Sequence, residues 1–465
     1  MNKISIREIA EVTRGHLMSG DPGHFVTGVS TDSRAAGKND LFIPIIGETH
    51  DGHEFIPGAY GNGCRAFLVS EEDAASAATD ADVILVQDTA KAMQDLAYHY
   101  LQGLDIFKVA VTGSVGKTST RDMIYYILSE KFKTARPTKN YNNEIGVPLT
   151  IFGLDSSYKA VVFEEGLHYA GDIHRLSRMT RPDLAVITNV GVAHIENLGS
   201  RENIFKAKLE VADFLPQDGA LIVNSDSDFL KKENIDREFR IISCGEDPTY
   251  DICVHDIKDK GALGISFTLT TGGKSMDIGL PVPGAHNAVN AALAAAVAIE
   301  AGLTLSDVKN GLAKLELTGK RLLVKKGNDR IVIDDSYNAS PDSMKSAINT
   351  LINTEGERHV AIFAGMNELG DDSEEFHKEV GRYAAEKQLD VLVCVGEKAK
   401  AIADGAEENA EGGADGKMHI YRFADKEAFF KEMDNIVLAG DTVIVKGSNA
   451  YKMSEVADRL VGGQN

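Results

Sequence analysis

Cysteine is scarce in this chain and positive charge is outnumbered. The four cysteines, Cys64, Cys244, Cys253 and Cys394, are scattered, and no Cys-x-x-Cys pair occurs. They read as reduced packing residues of a cytoplasmic protein and not as metal ligands. Lys and Arg number 49 against 70 Asp and Glu, a net charge of −21. Such a balance argues against a nucleic-acid or anionic-membrane surface, so an anionic substrate needs a local basic or amide-rich site. No stretch approaches the ~20 apolar residues of a membrane span, and the Ala-rich run Ala291–Ile299 is too short, so no membrane insertion is expected. The opening MNKISIREIAEVTRG has no continuous apolar core, so it is not expected to be a signal peptide. Fixed-period repeats and low-complexity tracts are also missing. What remains is an ordinary globular composition, 43% hydrophobic and 26% charged over 465 residues. That length exceeds one core, and about three domains are expected.

One stretch organises the rest, FKVAVTGSVGKTSTRDMIYYIL from Phe107 to Leu128. An alternating β-branched run (Val109, Val111) leads into a Gly-rich turn and then a helix-period segment with Met123, Ile124, Ile127 and Leu128. Strand, Gly-rich loop and Lys-Thr at a helix start is the arrangement that binds nucleotide phosphates. Gly113 and Gly116 allow a tight turn that points successive N–H groups at phosphate oxygens. Lys117 is placed to reach the β/γ-phosphates and the Thr118 hydroxyl to sit on Mg²⁺. The strict pattern wants a Gly five residues before Gly116, where Val111 stands. The motif is therefore short, and its strand-before, helix-after setting separates it from an ordinary βα turn.

Residues 1–105 read as a small α/β domain, with short strands at Ala66–Val69 and Val83–Val86 and an acidic-Ala stretch, Glu71–Ala81, between them. Ser30-Thr31-Asp32-Ser33-Arg34 and the cluster Gly47-Glu48, Asp51-Gly52-His53 read as surface turns. From 106 to 317 strands and helices alternate as in a parallel sheet covered by helices. The strand pattern Ala160–Phe163 runs into Glu164, and Leu184–Thr188 delivers Asn189, Gly191 and His194. Ligands of doubly wound sheets bind beyond the carboxyl ends of strands. Glu164 is thus a candidate Mg²⁺ ligand or a solvated strand end, and His194 a candidate ligand or a hydrogen-bonded loop histidine. Lys206 and Lys208 follow on a helix, with a surface role as the default. Asn287 and Asn290 share one face of a later helix, where Asn287 is also a natural cap. From 318 to 465 a second doubly wound domain is expected, with strands at Ile331–Asp334, Val360–Ala364, Val391–Val395 and Thr442–Val445. It lacks G-x-G-x-x-G after its first strand. Instead Asp334-Asp335-Ser336-Tyr337-Asn338-Ala339-Ser340-Pro341 follows, either a ribose and adenine contact or a capped, Pro-containing helix start.

Taken in order, DSR, GE-x-x-DGH-x-F, TGSVGKTS, NNEIGVPLT, TNVGVAHIENLGS, AK-x-E, HN-x-x-N, DDSYNASP, GMNELG and KGSN resemble the Mur ligases along nearly the whole chain. The resemblance implies three α/β domains: a UDP-substrate domain (1–105), a central phosphate-loop ATPase domain with a mostly parallel sheet (106–317) and a C-terminal Rossmann-like ligase domain (318–465). It implies an ATP- and Mg²⁺-dependent amide ligase that adds D-alanyl-D-alanine to a UDP-N-acetylmuramoyl-tripeptide through an acyl phosphate, in peptidoglycan precursor synthesis. The alternative is a family member with another amine or carboxylate. The expected form is a cytoplasmic monomer with small-molecule substrates.

Matched residue by residue, the family roles place ATP on Gly113, Ser114, Val115, Gly116, Lys117, Thr118, Ser119, Asn290, Arg321, Asp335 and Asn338. Ser33, Arg34, Asn142 and Asn143 are implied as substrate contacts. Thr118, Glu164, His194 and Lys208 are implied around Mg²⁺, with Lys208 as a carbamate. Lys117, Lys208 and His194 are the implied catalytic set. One segment departs. Where the family reads E-M-G-A-N-H-P-G-E-I, this chain has Glu164-Glu165-Gly166-Leu167-His168-Tyr169-Ala170-Gly171-Asp172-Ile173. The segment is either an acceptor contact that alters amine choice or a neutral swap in a supporting loop.

Overall fold

Strands buried on both faces of a parallel sheet must be apolar without interruption, and the chain supplies such runs at regular intervals. In the computed structural model, which describes residues 1–47, 49–73, 80–236, 239–410 and 418–462, these runs form three larger sheets. The first has five strands in the order His16–Ser19, Asp82–Leu85, Ala66–Val69, Asp40–Phe42, Gly28–Ser30, all parallel except the outermost pair at His16–Ser19. Helix Thr89–Gln102 is capped by the Asp88 carboxylate, which accepts from Lys91 N–H at 3.0 Å. Its buried residues Ala92, Met93, Leu96 and Tyr100 recur at helical spacing and join a core shared with Val147, Ile151 and Phe163 of the central unit. Glu48 and part of Glu71–Ala81 lie outside the described residues.

The central sheet has nine strands in the order Lys274–Leu280, Ile265–Thr271, Ile252–Asp259, Arg240–Gly245, Ala220–Asn224, Leu184–Ile187, Phe107–Thr112, Ala160–Glu164, Thr134–Ala135. From Ile252–Asp259 to Thr134–Ala135 neighbours run parallel, while the last three strands in sequence form an antiparallel extension. After Phe107–Thr112 the chain crosses to one side of this strand, and after Leu184–Ile187 to the other. The strand order therefore reverses between these two strands, which opens a crevice at their carboxyl ends. The Ala-rich helix Asn287–Glu300 is buried from Asn287 to Ala298 and packs on helix Lys117–Leu128.

The third sheet has six strands, Leu323–Gly327, Arg330–Asp334, Thr442–Lys446, His359–Ala364, Val391–Val395 and His419–Phe423, parallel except for the first pair. That pair is a hairpin whose Asn328 and Asp329 have φ of 50° and 54°, the positive values a two-residue turn requires. Helices Pro341–Ile352 and Ser373–Glu386 cover one face, and Lys426–Ile436 and Ser454–Leu460 the other. All four cysteines are buried and free, as their scattered spacing suggests. Among the described residues no helix is long and apolar enough to cross a membrane.

Candidate functional site

The crevice is the floor of a cavity of about 920 Å³ whose walls come from all three sheets' units. Its floor is the loop after strand Phe107–Thr112. Gly113 has φ 149° and Gly116 φ 85°; a Cβ at Gly113 would run into Thr188, and one at Gly116 into Asn290. Both positions therefore demand glycine. The N–H groups of Ser114 and Val115 donate to Asn189 Oδ1 at 3.0 and 2.8 Å, and Ser114 Oγ accepts from Gly191 N–H at 2.9 Å. Two of the loop amides expected to face phosphate are thus taken by a side chain of the neighbouring strand end. Among the described residues the N–H groups of Gly116, Lys117, Thr118 and Ser119 have no hydrogen-bond partner. Four open donors at the positive end of a 12-residue helix make an anion site. Lys117 Nζ folds back to donate to Gly113 O at 2.7 Å. Desolvation pulls this ammonium below its ordinary range, with Glu164 opposing.

Glu164 ends its strand in register with Val111 and is only 2% exposed, which excludes the reading of a solvated strand end. Its carboxylate accepts from Thr118 Oγ1 at 2.8 Å and from Asn142 Nδ2 at 3.3 Å, and Arg121 Nη1 stands 3.5 Å away. Glu165, one residue on, bonds instead to Thr180 Oγ1 at 2.8 Å, and burial pushes its carboxyl up to about 8. Adjacent carboxyls thus have separate roles, and only Glu164 borders the cavity. An oxygen-only pair, the Thr118 hydroxyl and the Glu164 carboxylate, suits a hard divalent cation.

His194 has φ 66° and sits directly before the short helix Ile195–Leu198. Its Nδ1 lies 2.5 Å from Glu368 Oε2, and its ring meets that of His168 edge-on at 5.3 Å. Burial lowers its pKa below the usual imidazole value, which the Glu368 contact partly offsets. Lys206 is exposed and pairs with Glu202, but Lys208 is fully buried, so the surface reading of Lys208 is overturned. Its Nζ has no hydrogen-bond partner among the described residues, and burial lowers its pKa far below the ordinary ammonium range. A neutral, unpartnered amine is what carbamate formation requires.

The C-terminal unit supplies the opposite wall. Asp335, Tyr337 and Asn338 follow strand Arg330–Asp334, and Pro341 opens the next helix, so the sequence is both a cavity lining and a Pro-containing helix start. Lys446 Nζ donates to Asp335 Oδ2 at 2.5 Å and to Asn338 O at 2.9 Å. The Arg321 guanidinium lies 3.7 Å from the centre of the Tyr337 ring. Buried Asp122 ties this wall to the phosphate-loop helix. It takes Arg121 at 2.6 Å and Arg136 at 2.7 Å, and its Oδ2 accepts from Thr318 N–H at 2.7 Å.

Of the residues singled out in sequence, Ser114 to Ser119, Asn142, Asn143, Glu164, His194, Arg321, Asp335 and Asn338 line the cavity. Gly113, Asn290 and Lys208 are not among the lining residues. Asn290 braces Gly116 from behind and donates to Asn287 Oδ1 at 2.9 Å. Asn287 does not cap its helix; its amide donates to Pro283 O at 2.7 Å. Ser33 and Arg34 also lie off the cavity, and Arg34 is an exposed side chain paired with Asp32 at 2.7 Å. Asn189 was placed at a strand end by the sequence but given no role, and Arg121 and Asp122 were singled out by no sequence signal. Leu167, His168 and Tyr169, where the sequence departs from the family pattern, all border the cavity.

Family models match in three consecutive stretches: "Mur ligase family, catalytic domain" over residues 25–101, "Mur ligase middle domain" over 111–298 and "Mur ligase, glutamate ligase domain" over 320–449. The chain is 35% identical to the UDP-N-acetylmuramoyl-tripeptide–D-alanyl-D-alanine ligase of Bacillus subtilis, over 99% of each chain. It is 33% identical to the enzyme of the same description from Escherichia coli, again over 99% of each. Among solved structures it resembles MurF from Acinetobacter baumannii (29% identity, TM-score 0.90, 99% of each chain). It also resembles MurF ligase from Thermotoga maritima in complex with ADP (27% identity, TM-score 0.80, 92% of this chain and 96% of that one).

Proposed function

The chain belongs to the Mur ligase family, and from that premise we propose that it joins D-alanyl-D-alanine to a UDP-N-acetylmuramoyl-tripeptide at the expense of ATP. The observation that carries the chemistry is the single cavity in which open loop amides, Thr118 and Glu164 face Asp335, Tyr337 and Asn338 of another unit. The identity of the amine rests on the full-length likeness to D-alanyl-D-alanine ligases.

A carboxylate at neutral pH has no leaving group, so the amide bond needs an activated oxygen. The tripeptide's terminal carboxylate attacks the γ-phosphorus of ATP, giving an acyl phosphate and ADP. The incoming amine then adds to the acyl carbon, and phosphate departs from the tetrahedral intermediate. Both steps gather negative charge, and the N–H groups of Gly116 to Ser119 with Lys117 stabilise it at fixed positions. Thr118 and Glu164, with His194 and a carbamate on Lys208 nearby, would hold Mg²⁺, which would supply further charge neutralisation. Asp335, Tyr337, Asn338 and Arg321 hold the nucleoside and orient it, and the three-sided enclosure keeps water from the acyl phosphate.

We assign 1–105 to the UDP-substrate, 106–317 to ATP and 318–465 to closing the site, in a cytoplasmic enzyme. One chain supplies every wall of the cavity, which supports a monomer as the working unit. A different amine is the second reading, because Leu167-His168-Tyr169 borders the cavity beside Glu164. Phosphate release should be measured with the UDP-muramoyl tripeptide and a panel of D- and L-amino acids and dipeptides. D-alanyl-D-alanine is expected to give the highest kcat/KM; robust release with another amine and none with this one would select the second reading.

A further inference from the structure

Asp334 and Asp335 stand side by side at the end of strand Arg330–Asp334, and each carboxylate has a lysine of its own. Successive residues of a strand point to opposite sides, so the two carboxylates part company. Asp334 is fully buried and off the cavity; its Oδ2 accepts from Lys325 Nζ at 2.7 Å and its Oδ1 from Ser336 N–H at 3.2 Å. Asp335 borders the cavity, and its partner is Lys446, the last residue of the neighbouring strand Thr442–Lys446. Asp334 lies in register with Val445, and Asp335 N–H donates to Val445 O at 3.0 Å. Lys446 therefore reaches the 335–338 loop from the adjacent strand end.

We propose that Lys446 is a positioning residue of the nucleoside wall: it sets Asp335 to accept from a ribose hydroxyl and fixes Asn338 beside it, without touching the nucleotide. This rests on the ATP-dependent reading of the cavity. An ammonium has three N–H donors, and a buried one is tolerated only where acceptors meet it. Lys446 is 3% exposed, and its Nζ has three acceptors in reach: Asp335 Oδ2 at 2.5 Å, Asn338 O at 2.9 Å and Asp335 O at 3.3 Å. No donor is left for a phosphate oxygen, although the side chain borders the cavity.

The bonds that Lys446 makes decide what the loop presents. Asp335 Oδ1 accepts from Leu322 N–H at 3.2 Å, so the carboxylate is held at both oxygens. A carboxylate has about four lone-pair sites, and those still open can accept from hydroxyl donors in the cavity. Asn338 Oδ1 accepts from Ala339 N–H at 2.9 Å, and among the described residues nothing accepts from its Nδ2. Its free side is thus the donor side. The wall offers an acceptor at Asp335 and a donor at Asn338, which suits a sugar diol next to a base nitrogen or a phosphate oxygen. Lysine is the residue this geometry calls for, because three acceptors converge on one nitrogen; the planar fork of arginine cannot serve them together.

The test is binding of ADP, 2′-deoxy-ADP and 3′-deoxy-ADP to the full chain, measured by calorimetry in the presence of Mg²⁺. In the unaltered protein, loss of the hydroxyl that Asp335 accepts should weaken binding about tenfold. Lys446→Met keeps the apolar stem and removes all three donors. It should weaken ADP binding at least about tenfold and shrink the hydroxyl preference to less than about twofold, since the mutation and the missing hydroxyl act on one contact. Lys325→Met takes the corresponding lysine from Asp334 and should keep the preference. Thermal melting separates lost binding from lost fold. If Lys446→Met is unfolded at the assay temperature, Lys446→Arg, which keeps a charge opposite Asp335, carries the same comparison and should also lose the preference. Weaker ADP binding with the hydroxyl preference intact would make Lys446 a direct phosphate contact and overturn the proposal. Unchanged ADP binding in the variant, or equal binding of all three nucleotides by the unaltered protein, would overturn it as well. No ADP binding by the unaltered protein would remove the ATP-dependent reading itself, and the inference with it.

Discussion

An amine enclosed on every side with nothing to bond to, as at Lys208, is costly if it remains an ammonium. Burial, with the Lys117 charge adding to it, favours the neutral form, and a neutral amine can take up CO₂ and become an anion. Lys208→Ala is therefore expected to lose at least about a hundredfold in turnover and to regain part of it with added short-chain carboxylates. Activity near that of the unaltered enzyme without any additive would make Lys208 a packing residue. This position was not legible in the residues themselves. Lys206 and Lys208 are two apart, so they point to opposite sides of one helix, and nothing local says which side is inside. The phosphate loop was legible because glycine at Gly113 and Gly116 is forced by backbone geometry that leaves a mark in sequence. Asn189 was not, since its bonds to Ser114 and Val115 join residues 75 and 74 positions away.

At the scale of elements, the helix after the phosphate loop does more than present N–H groups. Asp122 on its second turn balances Arg121 and Arg136 and holds the Thr318 N–H at the entrance to the C-terminal unit. Removing the carboxylate leaves two cations facing each other in a buried setting. Asp122→Ala should destabilise the protein by about 3–5 kcal/mol, read from urea unfolding; a loss below about 1 kcal/mol would show that the network is not strained by the deletion. The loop that carries Glu368 depends on a neutral His377, whose Nε2 must accept from Met366 N–H. Burial lowers the His377 pKa below the usual 6.5, and the Ser373 carbonyl opposes this. With the folded pKa depressed, the unfolded chain binds more protons below pH 6.5, so stability falls as pH drops. The slope from this one group is at most about 1.4 kcal/mol per pH unit. His377→Gln keeps an acceptor and removes the titration, so its melting temperature should fall less than the parent's between pH 7 and about 5.5. Equal slopes would remove His377 from the pH response. The parallel strands were readable because they are buried throughout, as Val391–Val395 is. The hairpin partner Leu323–Gly327, half-exposed and reading LVKKG, and the outer strand His419–Phe423 carry too little apolar signal to be found.

The whole molecule places three sheets around one cavity, so no unit holds a complete site. The order of motifs along the chain made the three-part plan readable. The arrangement in space was not, because the contacts between the central and C-terminal units, Thr318 to Asp122 and Glu368 to His194, join residues far apart in sequence. The proposed reaction likewise draws on the assembled molecule, with phosphoryl transfer assigned to the central unit, nucleoside contacts assigned to the third sheet, and the acyl phosphate between them. The most direct measurement is mass spectrometry of the product formed from the UDP-muramoyl tripeptide, D-alanyl-D-alanine and MgATP. The account predicts one new species with the mass of the two substrates minus one water, formed with one ADP and one phosphate per turnover. ATP hydrolysed with no such amide product would contradict it.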